Sequence, residues 1–264
     1  LLGDLPNILC QVKTAFRIED HMANGLFNRY ATPGRAVDQA QYDEGLRQHM
    51  LSVYNYMSIG LGLTGVVAFV TAMLAMSNPA FAQVMYGSPL KWVVMLAPLG
   101  FVFFLSAKIH SMSMSAAQTT FWAFAAVMGL SLSSIFLVYT GASIARVFFI
   151  TGATFGAMSL WGYTTKRDLS GMGSFLLMGL IGIIVASVVN IFLASSALQF
   201  AVSVIGVLIF TGLTAYDTQR IKEEYSEGYG SESLGKMALM GALSLYLNFI
   251  NLFTMLLQLF GQRE

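Results

Sequence analysis

Charged residues are scarce in this chain. Asp, Glu, Lys and Arg make up 10% of its 264 residues, against about 25% in soluble domains, which excludes an ordinary soluble fold. The formal net charge of +1 excludes broad electrostatic binding to nucleic acid. Cys10 is the only cysteine, so an intramolecular disulfide framework and a multi-thiolate zinc site are excluded as well. His21, His49 and His110 are too scattered to form a metal motif. The chain lacks a Walker loop, a dinucleotide fingerprint and a nucleophile elbow, so the reading is of a non-enzyme with no resident cofactor.

Apolar sequence is what the chain has in excess: 56% of residues are hydrophobic and the mean hydropathy is +0.67. A spanning helix needs about 20 predominantly apolar residues. Seven segments qualify: Leu51–Met76, Trp92–Ala107 (expected to run on to His110), Ala116–Tyr139, Ile144–Tyr163, Gly173–Leu193, Leu198–Tyr216 and Met237–Phe260. The fifth and sixth are joined only by Ala194-Ser195-Ser196-Ala197. Together they are too long for one span, so they form a helical hairpin. The expected fold class is all-α, a polytopic membrane protein whose partner is the lipid bilayer.

Lys and Arg set the expected orientation. With the N-terminus inside, Lys13, Arg17, Arg29, Arg35, Arg47, Lys108, Lys166, Arg167, Arg220, Lys222 and Lys236 lie inside, and only Lys91, Arg146 and Arg263 outside. This places the N-terminus in the cytoplasm and the C-terminus in the periplasm. Residues 1–21 have neither a secretory nor a transit pattern and read as an upstream extension of the reading frame, with Met22 a more natural start. Residues 22–48 read as a polar cytoplasmic arm, broken at Pro33-Gly34 and turning helical into the first span, and 49–264 as the seven-helix transmembrane domain.

One acid stands in an apolar setting. Asp217 ends the run Gly206-Val-Leu-Ile-Phe-Thr-Gly-Leu-Thr-Ala-Tyr-Asp217. A charge at the bilayer centre costs about 2.5–3.5 kcal/mol on insertion scales, and less near the interface. Such a group calls for a partner, a water cavity or a proton. Two readings stand: an interfacial acid paired with Arg220, and a functional carboxylate. On the last span, Ser244, Asn248 and Asn251 recur at intervals of four and three and so share one face, which Gly241 extends. These residues are either hydrogen-bonding glue between helices or the lining of a proton or ion path opposite Asp217.

Other features read as structural. Gly152-Ala-Thr-Phe-Gly156, with Gly171, Gly173, Gly179 and Gly182, is a small-residue packing signal. The runs Thr164–Asp168 and Asp217–Glu224 read as topological anchors. Tyr86, Tyr139, Tyr163, Trp92 and Trp161 fall near span ends, as an interfacial belt does.

Four segments carry a family resemblance: Gly129-Leu-Ser-Leu-Ser-Ser-Ile-Phe-Leu-Val-Tyr139, Tyr163-Thr-Thr-Lys-Arg-Asp-Leu-Ser-Gly-Met-Gly173, Ala215-Tyr-Asp-Thr-Gln219 and Ala242-Leu-Ser-Leu-Tyr-Leu-Asn-Phe-Ile-Asn-Leu-Phe253. From about Gln48 to Gly261 the chain resembles the Bax inhibitor-1 family, in its bacterial branch. The resemblance implies six helices around a central seventh, and a pH-sensitive calcium leak in some members. It also implies a bacterial inner-membrane location and, for bacterial relatives, a link to an AAA+ membrane protease whose turnover of membrane proteins they modulate.

Asp217 matches the first of the family's two paired aspartates; the second falls at Asn248. Two close carboxylates do not ionise together easily, whereas an Asn amide can donate a hydrogen bond to its partner. The pH switch of relatives therefore loses its second acid here. An arginine on the second span acts as a latch in some relatives and has no match; Lys108 and His110 are the nearest candidates there, and Arg220 is a third. The resulting expectation is a calcium or proton leak centred on Asp217, lined by Ser244, Asn248 and Asn251, with at most transient calcium on Asp217. The alternative is a modulator that binds the protease through the arm.

Overall fold

The computed structural model describes residues 33–263, with side chains from residue 41 onward. The expected upstream extension, 1–21, and the first part of the arm, 22–32, lie outside the described residues. The chain divides into two units, Leu1–Arg47 and Gln48–Glu264. Within the first unit, Arg47 and Glu44 form an exposed ion pair at 3.4 Å.

Among the described residues, seven helices are long and apolar enough to cross a membrane. They are α1 (Pro33–Ser77), α2 (Leu90–Lys108), α3 (Met114–Leu132), α4 (Gly141–Thr164), α5 (Ser170–Leu193), α6 (Ser196–Glu224) and α7 (Ser231–Phe260). Backbone polar groups have no water to bond with in hydrocarbon, which leaves the helix as the one element that suits such apolar runs. Pro33 does not interrupt the chain but opens α1, where its missing N–H is no loss. α2 stops at Lys108 rather than His110. The third span reaches Val138 through a one-turn helix, Ile135–Val138, after a break at Ser133 and Ser134.

The helix ends are fixed by short polar side chains. Ser113, Thr140 and Ser195 accept hydrogen bonds from the N–H groups of Ala116, Ser143 and Leu198, each satisfying an orphan donor. In the α5–α6 hairpin, Ala194 takes the left-handed conformation (φ 48°) and Asn190 Oδ1 accepts from Ser195 N at 3.0 Å. Between α4 and α5, Asp168 Oδ1 accepts from Ser170 N at 2.8 Å. Hydrogen bonds from the Ser170 side chain and backbone hold the exposed Asp168 carboxyl below its ordinary range.

α7 is the core. Two thirds of its apolar window is buried (67%), against 11% for α2 and for α5. It packs on α6, α4 and α3. Tyr246 is fully enclosed, stacked edge-on against Phe121 and Phe124, and its hydroxyl meets Thr64 Oγ1 at 2.6 Å. That pairing brings a wide aromatic body inside without leaving a hydroxyl unsatisfied. A second polar link joins α1, α4 and α6: Tyr54 bonds Ser159, and Ser159 meets Thr218 at 2.9 Å.

The small-residue reading needs a correction. A Cβ added at Gly152, Gly156, Gly171 or Gly182 would meet nothing within 4 Å, so these positions are not packing contacts. Close approach occurs at Gly162, where a Cβ would lie 2.2 Å from Ala215 O, and at Gly173, where it would lie 2.4 Å from the Tyr216 ring. Gly179 is also packed, against Ile209. Spacing alone identifies small residues but not the face on which a neighbour lies. The aromatic belt carries cations: Lys91 lies over Trp92, Lys222 over Tyr163 and Arg263 over Tyr139.

Candidate functional site

α6 and α7 run antiparallel, and their register puts the polar residues of both on one seam. Asp217 is buried; Asn248 Nδ2 donates to its Oδ2 at 2.7 Å. Three residues along α6, the Arg220 guanidinium approaches Asp217 Oδ1 at 3.1 Å and donates to Ser244 Oγ at 3.2 Å. The acid thus pairs with Arg220 and also faces the α7 stripe. α6 continues to Glu224, two turns beyond Asp217, so the carboxylate lies about 10 Å inside that helix end.

Arg220 is the junction of the site. Its Nε sits 3.6 Å from Glu224 Oε1, too long for a hydrogen bond, and is buried with no hydrogen-bond partner among the described residues. Its guanidinium carbon lies 5.9 Å from the Tyr216 ring centre. An arginine so held neutralises a buried carboxylate at close range, and removing it would leave an uncompensated charge.

Two cavities meet there. One, of about 590 Å³, opens among the end of α2, the end of α6 and the start of α7, and is lined by His110, Glu224, Lys236 and Arg220 among others. The other, of about 580 Å³, lies between α2, α5, α6 and α7 and holds Asp217, Asn248, Asn251 and Met255. Arg220 and Ser244 line both. Asn251, which lines this cavity, donates to Leu247 O at 2.8 Å, a bond within its own helix that leaves its side-chain oxygen free to accept.

The structure therefore brings together Asp217, Asn248, Ser244 and Arg220, with Asn251 one turn further. Of the second-span candidates, His110 lines the first cavity, whereas Lys108 is exposed and lines neither. Among the described residues no three His, Cys, Asp or Glu side chains gather as a metal cluster. Both Asp217 oxygens already have partners, so a cation reaching the acid must compete with Arg220.

Sequence reasoning missed three participants. Gln219 binds the α4–α5 loop: its Oε1 accepts from Leu169 N and its Nε2 donates to Arg167 O, both at 2.8 Å. Ser203 and Gln258 meet at 2.8 Å at the far end of the α6–α7 seam. The signal for Gln258 was present, because the stripe 244, 248, 251 continues at 255 and 258 with the same alternation of four and three. Gln219 carried no such signal, since its partners are backbone atoms some fifty residues away.

Residues 46–264 match the family model described as "Inhibitor of apoptosis-promoting Bax1". The chain is 49% identical to the protein RP147 of Rickettsia prowazekii, over 84% of this chain and 93% of that one. It is 48% identical to the inner membrane protein YbhL of Escherichia coli K12, over 83% and 94%. It is 36% identical to the membrane protein SpyM3_0260 of Streptococcus pyogenes, over 86% and 98%.

Proposed function

The chain belongs to the Bax inhibitor-1 family, and from that premise we propose that it forms a leak path for calcium or protons in the bacterial inner membrane, with Asp217 as its charged centre. The inner-membrane placement follows the name of the Escherichia coli relative, and the lysine and arginine bias supports a cytoplasmic N-terminus. One observation carries the reading: Asp217, a buried acid, borders a cavity of about 580 Å³ together with Ser244, Asn248 and Asn251.

A leak needs only a weak, hydrated route past a carboxylate, not a resident site. Calcium prefers about six to eight oxygen ligands. Asp217, the Asn251 oxygen and the Ser244 hydroxyl supply a few, and water supplies the rest, so calcium passes as cargo. Arg220 is the tethered cation that occupies the acid between passages, the part a latch arginine on the second span plays in some relatives.

The test is flux from liposomes loaded with calcium and proton dyes. Asp217→Asn keeps shape and removes charge, and should lower calcium entry several-fold with helix content unchanged. Arg220→Gln frees the carboxylate and should raise it. Equal, small effects from both variants would leave Asp217 as an interfacial ion pair and remove the leak reading.

The polar composition of residues 22–48 favours a second reading, a modulator that engages a membrane AAA+ protease through this arm. Deleting residues 22–35 should then abolish co-purification with the protease without harming insertion. Unchanged co-purification would count against it.

A further inference from the structure

The α6–α7 seam continues past Asn251. The next residue of the α7 stripe is Met255, which borders the Asp217 cavity. Opposite it stands Gly206: a Cβ there would meet Met255 Cγ and Sδ, each at 3.1 Å. About 4.5 Å further along α7, Gln258 is exposed and accepts a hydrogen bond from Ser203 at 2.8 Å. The seam is thus polar at Arg220–Ser244, polar at Asp217–Asn248 and polar again at Ser203–Gln258. Phe210, Leu213 and Leu247 add apolar surface to the Asp217 cavity, and between that cavity and the Ser203–Gln258 pair Met255 lies on Gly206.

Glycine in a helix interior is less favourable than alanine by about 1 kcal/mol. Gly206 lies well inside α6, and the room left by its missing side chain is filled by the Met255 thioether. Methionine is unbranched, with three rotatable bonds, so it fills such a gap and can also leave it. A hydrophobic constriction in a path blocks ions by excluding water.

On the leak path proposed above, we infer that Met255, seated on Gly206, is the plug separating the Asp217 cavity from the opposite face of the membrane, and that Ser203 and Gln258 form the polar mouth beyond it. The route for a hydrated cation then runs from the Ser231 face through the first cavity, past Arg220 to Asp217 and Asn251, and stops at Met255. Opening the path requires the Met255 side chain to swing off Gly206.

The test does not depend on ion flux. In a Cys10→Ser background, Asn251→Cys and Gln258→Cys are exposed separately to a small, charged, membrane-impermeant thiol reagent from each face of sealed vesicles. The Asn251→Cys variant should react only from the Ser231 face, and the Gln258→Cys variant only from the other. Adding Met255→Ala should let reagent from the far face reach the Asn251→Cys variant, with a several-fold rise in labelling rate, whereas Met255→Leu should not. The plug is overturned if the Asn251→Cys variant reacts from both faces with Met255 present, reacts from neither, or is unaffected by Met255→Ala. If labelling follows the expected pattern while liposomes show no leak, the plug stands and the leak reading fails. If leak is present and labelling ignores Met255, the leak reading stands and the plug fails.

Discussion

Asn248 donates its side-chain amide to Asp217 Oδ2 at 2.7 Å, joining the last helix to the one before it through an acid and an amide rather than two acids. An amide can supply the donor that a second carboxylate supplies only when protonated. The site thus holds its acid without requiring a shared proton, and Arg220 completes the arrangement from the other side.

Asn248→Asp restores a pair of carboxylates. Coupled acids titrate in two steps that belong to the pair, so on the proposed leak path calcium flux should gain or strengthen a pH-dependent transition relative to the parent chain. Identical pH profiles for the two would show that the pairing does not govern flux. Asn248→Leu removes a hydrogen bond to a charged group and should lower stability by about 1.5–3 kcal/mol, read by thermal unfolding in detergent.

Glycine substitutions separate packing from sequence pattern. Gly162→Ala drives a methyl group into the Ala215 carbonyl, a backbone atom that cannot step aside. The expected loss is about 1–3 kcal/mol, as for overpacked cores. Gly152→Ala meets open space and should be neutral or stabilising by up to about 1 kcal/mol. Parallel melting curves decide this, and equal losses at both positions would contradict the close α4–α6 contact.

Gln219→Leu should loosen the α4–α5 loop. The change strips the buried Leu169 N–H of its acceptor and the Arg167 carbonyl of its donor. Leaving a buried donor unsatisfied costs about 1–3 kcal/mol. The readout is faster proteolytic cleavage within 165–169, with cleavage at Ser226–Gly230 unchanged.

The charge bias fixes an expected topology. A periplasm-active reporter fused after Glu264 should be active, and one inserted at 226–230 should be silent. The reverse pattern would invert the orientation while leaving the helices intact.

The spans were legible because membrane helices announce themselves as long apolar runs, and the hairpin at Ala194 followed from length alone. The Asp217–Asn248 pair was legible through the family resemblance, which sets Asn248 at the second aspartate position, while the intervals of four and three gave only a polar face opposite the acid. What one sequence could not supply was the face each small residue presents. Gly152 and Gly156 have the spacing of a packing motif and touch no neighbouring helix, Gly173 from the same set does let Tyr216 approach, and Gly162, with no such signature, lets Ala215 approach. Nor does composition reveal that Arg220 stands between two cavities, because that depends on how α2 and α5 lie beside the seam.

The most enclosed of the seven spans is also the last of them to be made. Until α7 leaves the ribosome, Asp217 has no Asn248, Arg220 has no Ser244, and the Phe121 and Phe124 rings have no Tyr246 between them. The six earlier helices must therefore enter the bilayer around a vacant slot, with a charged pair facing it. A transcript cut short before Ser231 would yield a chain that inserts but cannot close. Such a chain exposes, to the proteases that police membranes, the polar surface that the finished protein hides.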